Sequence, residues 1–168
     1  WRNVTAPADQ LAAAKQMFAR RQIDRLYVVG SNAVTAPVIE ASYRRFLALL
    51  DAHLAHHPFL MGARPGASDF AAYGQLTQLT HFDPTPMAIA LAEAKRVFAW
   101  VDLVEDLSGL EPEESGWLDG ANPPPTLVAL LGDLARTDVP VMLANARALE
   151  AGPAKVETEI DGMPWTHQ

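Results

Sequence analysis

At 168 residues the chain has room for one domain and at most a small appendage, and it can bury a sizeable core without a disulfide or metal staple. It has no cysteine, which excludes a disulfide framework, a thiolate metal site and a cysteine nucleophile. Hydrophobic residues make up 49% and charged residues 20%, a globular balance. The formal net charge of -7 repels phosphate backbones, with no dense basic stripe to offset it, so no nucleic acid partner is expected.

No apolar run approaches the roughly 20 residues that cross a membrane, so no membrane association is expected either. The chain opens on Trp1 rather than Met, which reads as a fragment or a processed product. No signal-peptide pattern is present, which points to the cytoplasm.

Taken in order, the elements read as helices punctuated by proline and glycine. The first helix is predicted from about Ala8 to Val29, with Leu11, Lys15, Phe18, Gln22, Leu26 and Val29 near one face, and Gly30-Ser31-Asn32 breaks it. The second carries Ile39, Tyr43, Phe46, Leu47, Leu50 and Leu54 at helical spacing. Pro37 suits its first turn and Pro58 bounds its end. A third begins near Ala67, with Phe70, Tyr73, Leu76 and Thr77 on one side.

A fourth follows Asp83-Pro84, an N-cap with proline behind it, and is predicted to run to about Leu107 with Leu91, Phe98, Val101 and Val104 inward. Residues 108–125 read as a long surface loop. The stretch from Thr126 to Ala151 is predicted helical, with Leu127, Leu130, Leu131 and Leu134 at core spacing. Pro140 either kinks or divides it.

The tail changes period. Val156, Thr158 and Ile160 alternate with glutamates, Asp161-Gly162 favours a tight hairpin turn, and Met163 to Thr166 returns as a strand that Pro164 confines to an edge. A two-stranded ribbon is marginal alone, so it needs a surface to pack on.

The most specific segment is FLMGARPGASDF, from Phe59 to Phe70. If Gly66 is an N-cap, the Asp69 carboxylate reaches back to the Gly66 backbone N–H. That forms half of a capping box and places negative charge at the positive helix end.

This segment resembles the start of the sixth helix of glutathione S-transferases, where a phenylalanine-leucine-x-glycine phrase leads through proline to an N-cap and, three residues on, an aspartate. Here these are Phe59, Leu60, Gly62, Pro65, Gly66 and Asp69, with glycine in place of the usual serine or threonine cap. The helix ending Leu49-Leu50-Asp51-Ala52-His53-Leu54 resembles the family's fifth helix, and Val97-Phe98-Ala99-Trp100 its seventh. The resemblance covers about Pro37 to Gly109, extends loosely to the first and last helices, and leaves out the tail hairpin.

The resemblance implies an all-α fold, the C-terminal helical bundle of this family over residues 1–152, with a β-hairpin extension over 153–168. It implies a role as the substrate-binding and assembly domain of a transferase. In the intact parent a glutathione thiolate attacks a small electrophile, glutathione is the co-substrate, and a separate N-terminal thioredoxin-like domain holds the sulfur-activating residue. No catalytic residue, metal or cofactor is then expected in this chain, which alone is not expected to be active. A homodimer is implied. On the same resemblance Met17, Arg20, Arg21 and Asp24 of the first helix look toward the substrate cleft, where an arginine would pair with a glutathione carboxylate. The other reading of these residues is a solvated basic turn. The alternative for the whole protein is a non-catalytic binding or interaction protein of the same fold.

Other groups are weighed on the residues alone. His53 and His57 have the spacing of two zinc ligands, but no glutamate lies between them and no third ligand is evident. His81 and Asp83 resemble an acid–base pair, although Asp83 serves better as a cap. Tyr27, Tyr43 and Tyr73 could each activate a thiol in principle, but Tyr43 and Tyr73 sit on apolar stripes. No nucleophile elbow of the GxSxG type occurs.

Overall fold

A computed structural model describes residues 5–152 and 155–167. Trp1, and residue 153 where the tail extension is expected to start, lie outside them. Among the described residues there are six α-helices and one hairpin: α1 (Ala8–Ile23), α2 (Ala36–Leu54), α3 (Ala67–His81), α4 (Pro84–Glu93), α5 (Lys95–Glu105), α6 (Pro125–Ala151), β1 (Val156–Ile160) and β2 (Met163–His167). The all-helical reading and the terminal hairpin both hold. The chain divides into two compact units, Ile39–Asp138 and the pair of stretches Trp1–Val38 and Val139–Gln168.

The unit Ile39–Asp138 has its core where α2, α3, α4, α5 and the start of α6 meet. Leu47 and Leu50 of α2, Leu76 of α3, Ala90 of α4, Val97, Trp100, Val101 and Val104 of α5 and Leu130 of α6 are buried together with Phe59. The i, i+3, i+4 spacing in α5 places its four buried residues on one stripe. Trp100 also donates its indole N–H to the Pro58 carbonyl at 3.0 Å, so its one polar group is satisfied.

In the other unit, Gly30 ends a 3-10 turn over Leu26–Val29 with φ 76°, a left-handed conformation suited to glycine. A Cβ there would lie 2.4 Å from the Trp165 indole nitrogen, so β2 sits directly on this turn. Asn32 then opens the approach to α2, its side chain accepting from the backbone N–H of Val34 at 2.8 Å and of Thr35 at 3.1 Å. The hairpin turn has positive φ at both Asp161 and Gly162, and the register pairs Thr158 with Trp165 and Ile160 with Met163. Val156 and Ile160 are buried, which answers the need of a lone ribbon for a packing surface.

Three expectations need correction, and one open alternative is decided. The first helix stops at Ile23, and Leu26–Val29 is a separate 3-10 turn. The stretch after Pro84 is two helices, broken at Ala94 (φ −141°, ψ 61°), and the second ends at Glu105. The break has a tertiary cause. The Asp51 carboxylate of α2 accepts from the Arg96 backbone N–H at 3.0 Å, capping α5 from another helix. The apolar stripes are also only partly inward: Leu127 and Leu130 are buried, but Leu131 and Leu134 on α6, Leu91 on α4 and Phe70 on α3 are exposed. Of the two readings of Pro140, division is excluded, because α6 runs on through it.

Candidate functional site

The first helix is positioned by its ends. Pro7 precedes it, Asp24 follows with its backbone N–H on the Arg20 carbonyl at 2.8 Å, and Arg20 and Arg21 lie in the last turn, where cations complement the negative helix end. No residue of this helix is buried. Met17 is 72% and Ile23 64% exposed.

A concavity of about 830 Å³ opens along this face, edged by Gln16, Met17, Arg20, Arg21, Asp24 and Arg25. The structure therefore gathers Met17, Arg20, Arg21 and Asp24 around one hollow, and adds Arg25, which the sequence reading missed. Arg25 lies just beyond the helix end, where helical spacing no longer tells which way a residue faces. The Arg20, Arg21 and Arg25 side chains make no hydrogen bond, ion pair or ring contact with the described residues.

Gly66 and Asp69 form a structural node. Gly66 precedes α3 with φ −126°, an extended conformation open to any residue. It offers no side-chain acceptor, so only half of the capping box exists: Asp69 Oδ2 accepts from the Gly66 N–H at 2.8 Å. Asp69 is fully buried, and its Oδ1 accepts from the Leu60 N–H at 2.8 Å. One carboxylate thus ties the Phe59-Leu60 phrase to the helix it precedes. Gly62 completes the loop with φ 128°, where a Cβ would meet the Gly116 carbonyl at 2.3 Å. Arg64 lies over the Trp117 ring, 4.6 Å from its centroid.

The remaining candidates resolve into structural roles. His53 is fully buried, and both ring nitrogens are engaged, Nδ1 by the Thr126 hydroxyl at 2.9 Å and Nε2 by the Phe59 carbonyl at 3.3 Å. No lone pair is left for a metal, and His57 lies against it with ring centroids 4.9 Å apart. Burial, the largest cause, holds the His53 imidazole below its ordinary pKa.

His81 does not pair with Asp83. Asp83 caps α4 through Thr85 N–H at 3.2 Å, whereas His81 Nε2 meets Asp102 at 2.7 Å and its ring stacks on Phe98 at 4.7 Å. The neighbouring Thr80 hydroxyl is within 2.6 Å of His81 Nδ1 but is fully buried, so this array clamps α3 to α5 and presents no nucleophile. Tyr43 donates to the Pro86 carbonyl at 3.3 Å. Burial first, then the Asp83 charge, push its phenol upward, away from thiol activation. Tyr73 packs against the core, and Tyr27 is exposed. Among the described residues no helix is long and apolar enough to cross a membrane.

These elements define an all-helical domain whose first helix presents an open, arginine-edged wall and whose third is fixed by a buried aspartate. A family model described as "Glutathione S-transferase, C-terminal domain" matches residues 10–103. That is more than half of the chain, and the chain belongs to this family. The match spans α1 to most of α5, and so includes Met17, Arg20, Arg21, Asp24, Arg25, Gly66 and Asp69. All of α6 and the hairpin follow it. Among curated proteins and solved structures no match is found.

Proposed function

We propose that the chain is the substrate-binding and assembly domain of a glutathione S-transferase-like protein whose thioredoxin-like domain binds glutathione and activates its sulfur. The observation that carries this reading is α1. A helix within the family match buries no residue yet exposes Met17 and Ile23 beside an arginine-edged hollow. Helices in proteins draw most of their stability from packing an apolar face, and exposed apolar groups of this size suit a covering partner. A thioredoxin-like domain over this face would bury the apolar groups and turn the hollow into one wall of a cleft.

In that cleft the thiolate sulfur of glutathione attacks an electrophilic carbon and forms a C–S bond as the bond to the leaving group breaks. That group departs with its electron pair, as chloride in the case of a chloroarene. The thiolate is held beforehand by a hydrogen bond and a helix N-terminus of the other domain. The residues of this chain bind and orient. Met17 gives an apolar contact, Arg20 and Arg21 face carboxylates, and Asp24 borders the far end. None of them takes part in bond making. The parent works in the cytoplasm as a homodimer in this reading.

Calorimetry with glutathione on the chain and on the intact parent tests it, together with conjugation of chlorodinitrobenzene by the parent. The parent should bind and conjugate, and the chain alone should do neither. Micromolar glutathione binding by the chain alone would overturn the placement of the site. A parent that conjugates nothing supports the second reading, a non-catalytic binding protein. That reading is favoured by the exposed Met142, Leu143 and Leu149 of α6.

A further inference from the structure

We infer that the α1 concavity selects anionic ligands, specifically small electrophiles carrying a carboxylate on an apolar body, over neutral ones. This rests on reading the concavity as a substrate wall. The argument is electrostatic. The chain holds 13 Lys and Arg against 20 Asp and Glu, so carboxylate partners are in excess.

Four of the arginines elsewhere find them, while Arg147 of α6 has no partner among the described residues and does not line the α1 concavity. Arg44 meets Glu40 and Glu93, Arg45 meets Asp133 at 3.0 Å, Arg64 meets Glu114 at 2.9 Å and Arg96 meets Asp51. Arg20, Arg21 and Arg25 differ. Their guanidinium groups have no partner among the described residues, yet all three edge one hollow. The helix dipole accounts for Arg20 and Arg21 in the last turn, but not for Arg25 beyond it.

Three planar donor forks around a concave surface match carboxylate oxygens in geometry and raise the local concentration of anions. Asp24, the one carboxylate at the edge among the described residues, offsets one of the three charges. Ala13 and Met17 add apolar lining, so the favoured ligand has an apolar body and an anionic group.

The test uses chloronitrobenzoate and its neutral methyl ester, which share a reacting ring and differ in charge. Nuclear magnetic resonance titration of the 168-residue chain should show the benzoate bound roughly ten-fold more tightly than the ester, the worth of one charge-assisted contact. The gap should shrink as salt is added. It should vanish in a triple variant R20Q, R21Q and R25Q, which keeps good helix formers and whose fold is checked by circular dichroism. Single variants R20Q, R21Q and R25Q should each narrow the gap, giving a second measure if the triple variant loses helix. Equal or tighter binding of the ester, or an unchanged preference in the variants, would overturn the inference. The parent then separates the two claims. Conjugation of the ester but not the benzoate overturns the anionic preference and leaves the transferase reading standing. Arginine-dependent benzoate binding with conjugation of neither compound keeps the anion site and removes the transferase reading.

Discussion

Replacing Asp69 with alanine should destabilise the unit Ile39–Asp138 without touching any binding surface. The carboxylate is fully buried, with one oxygen 2.8 Å from the Gly66 N–H and the other 2.8 Å from the Leu60 N–H. Removing it strands two donors. Hydrogen bonds to charged groups are worth about 1.5–3 kcal/mol each, and Gly66 and Leu60 are half-buried, so water recovers part of the loss. The lower end applies, about 3 kcal/mol for the pair. For a unit of roughly 100 residues that is a fall in Tm of roughly 12–24 °C. Asp69→Asn keeps one acceptor and turns an amide toward the other donor, so it should lose at least half as much. Thermal melts followed by circular dichroism, with urea titrations followed by tryptophan fluorescence, give both values. A loss below about 0.5 kcal/mol for Asp69→Ala would refute the claim that this carboxylate holds the loop to α3.

Two further perturbations follow from the same reasoning. Burial lowers the His53 pKa in the folded chain. Below about pH 6.5 the unfolded chain therefore takes up a proton that the folded chain resists, so this stability is present above pH 6.5 and is lost as pH falls toward the lowered folded value. Urea melts between pH 7 and pH 5 should show His53→Asn with a shallower pH slope than the wild type, the difference not exceeding one proton, about 1.4 kcal/mol per pH unit. An equal or steeper slope in the variant would contradict the assignment. Gly30→Ala should loosen the hairpin, because the turn has φ 76° and the new methyl would overlap the Trp165 indole. Hydrogen exchange should accelerate in Val156–Ile160, and Trp165→Ala should add less damage to Gly30→Ala than to the wild type. Full additivity would count against the contact.

Much of the fold was legible because its signals are local. Asp161-Gly162 fixed the hairpin and its register, Asp83-Pro84 marked a helix start, and the spacing of Leu47 and Leu50 marked a buried stripe. What escaped the sequence was tertiary. Glu93-Ala94-Lys95 holds only good helix formers, and the chain breaks there because Asp51, 45 residues away, caps Arg96. Periodicity likewise shows that a helix has an apolar face without showing what covers it, so Leu131 and Leu134 read as core and are exposed. At the candidate site, Met17, Arg20, Arg21 and Asp24 were named through resemblance, and Arg25 became visible only once the helix end was placed. The pairing of His81 with Asp102 rather than Asp83 joins two helices, which no short-range pattern encodes.

The seat of Trp165 on Gly30 bears on the order in which the chain assembles. The two residues are 135 positions apart, and the unit Ile39–Asp138 lies wholly between them. That unit is one continuous stretch and can close during synthesis as soon as its last residue is free. The other unit is split and must wait for its second part. Closing so long a loop through unfolded chain costs entropy, and a folded insert spares much of it by bringing its ends under constraint first. The inner unit is therefore expected to fold early and independently, and the hairpin to dock last, as the slow step of a sequential process.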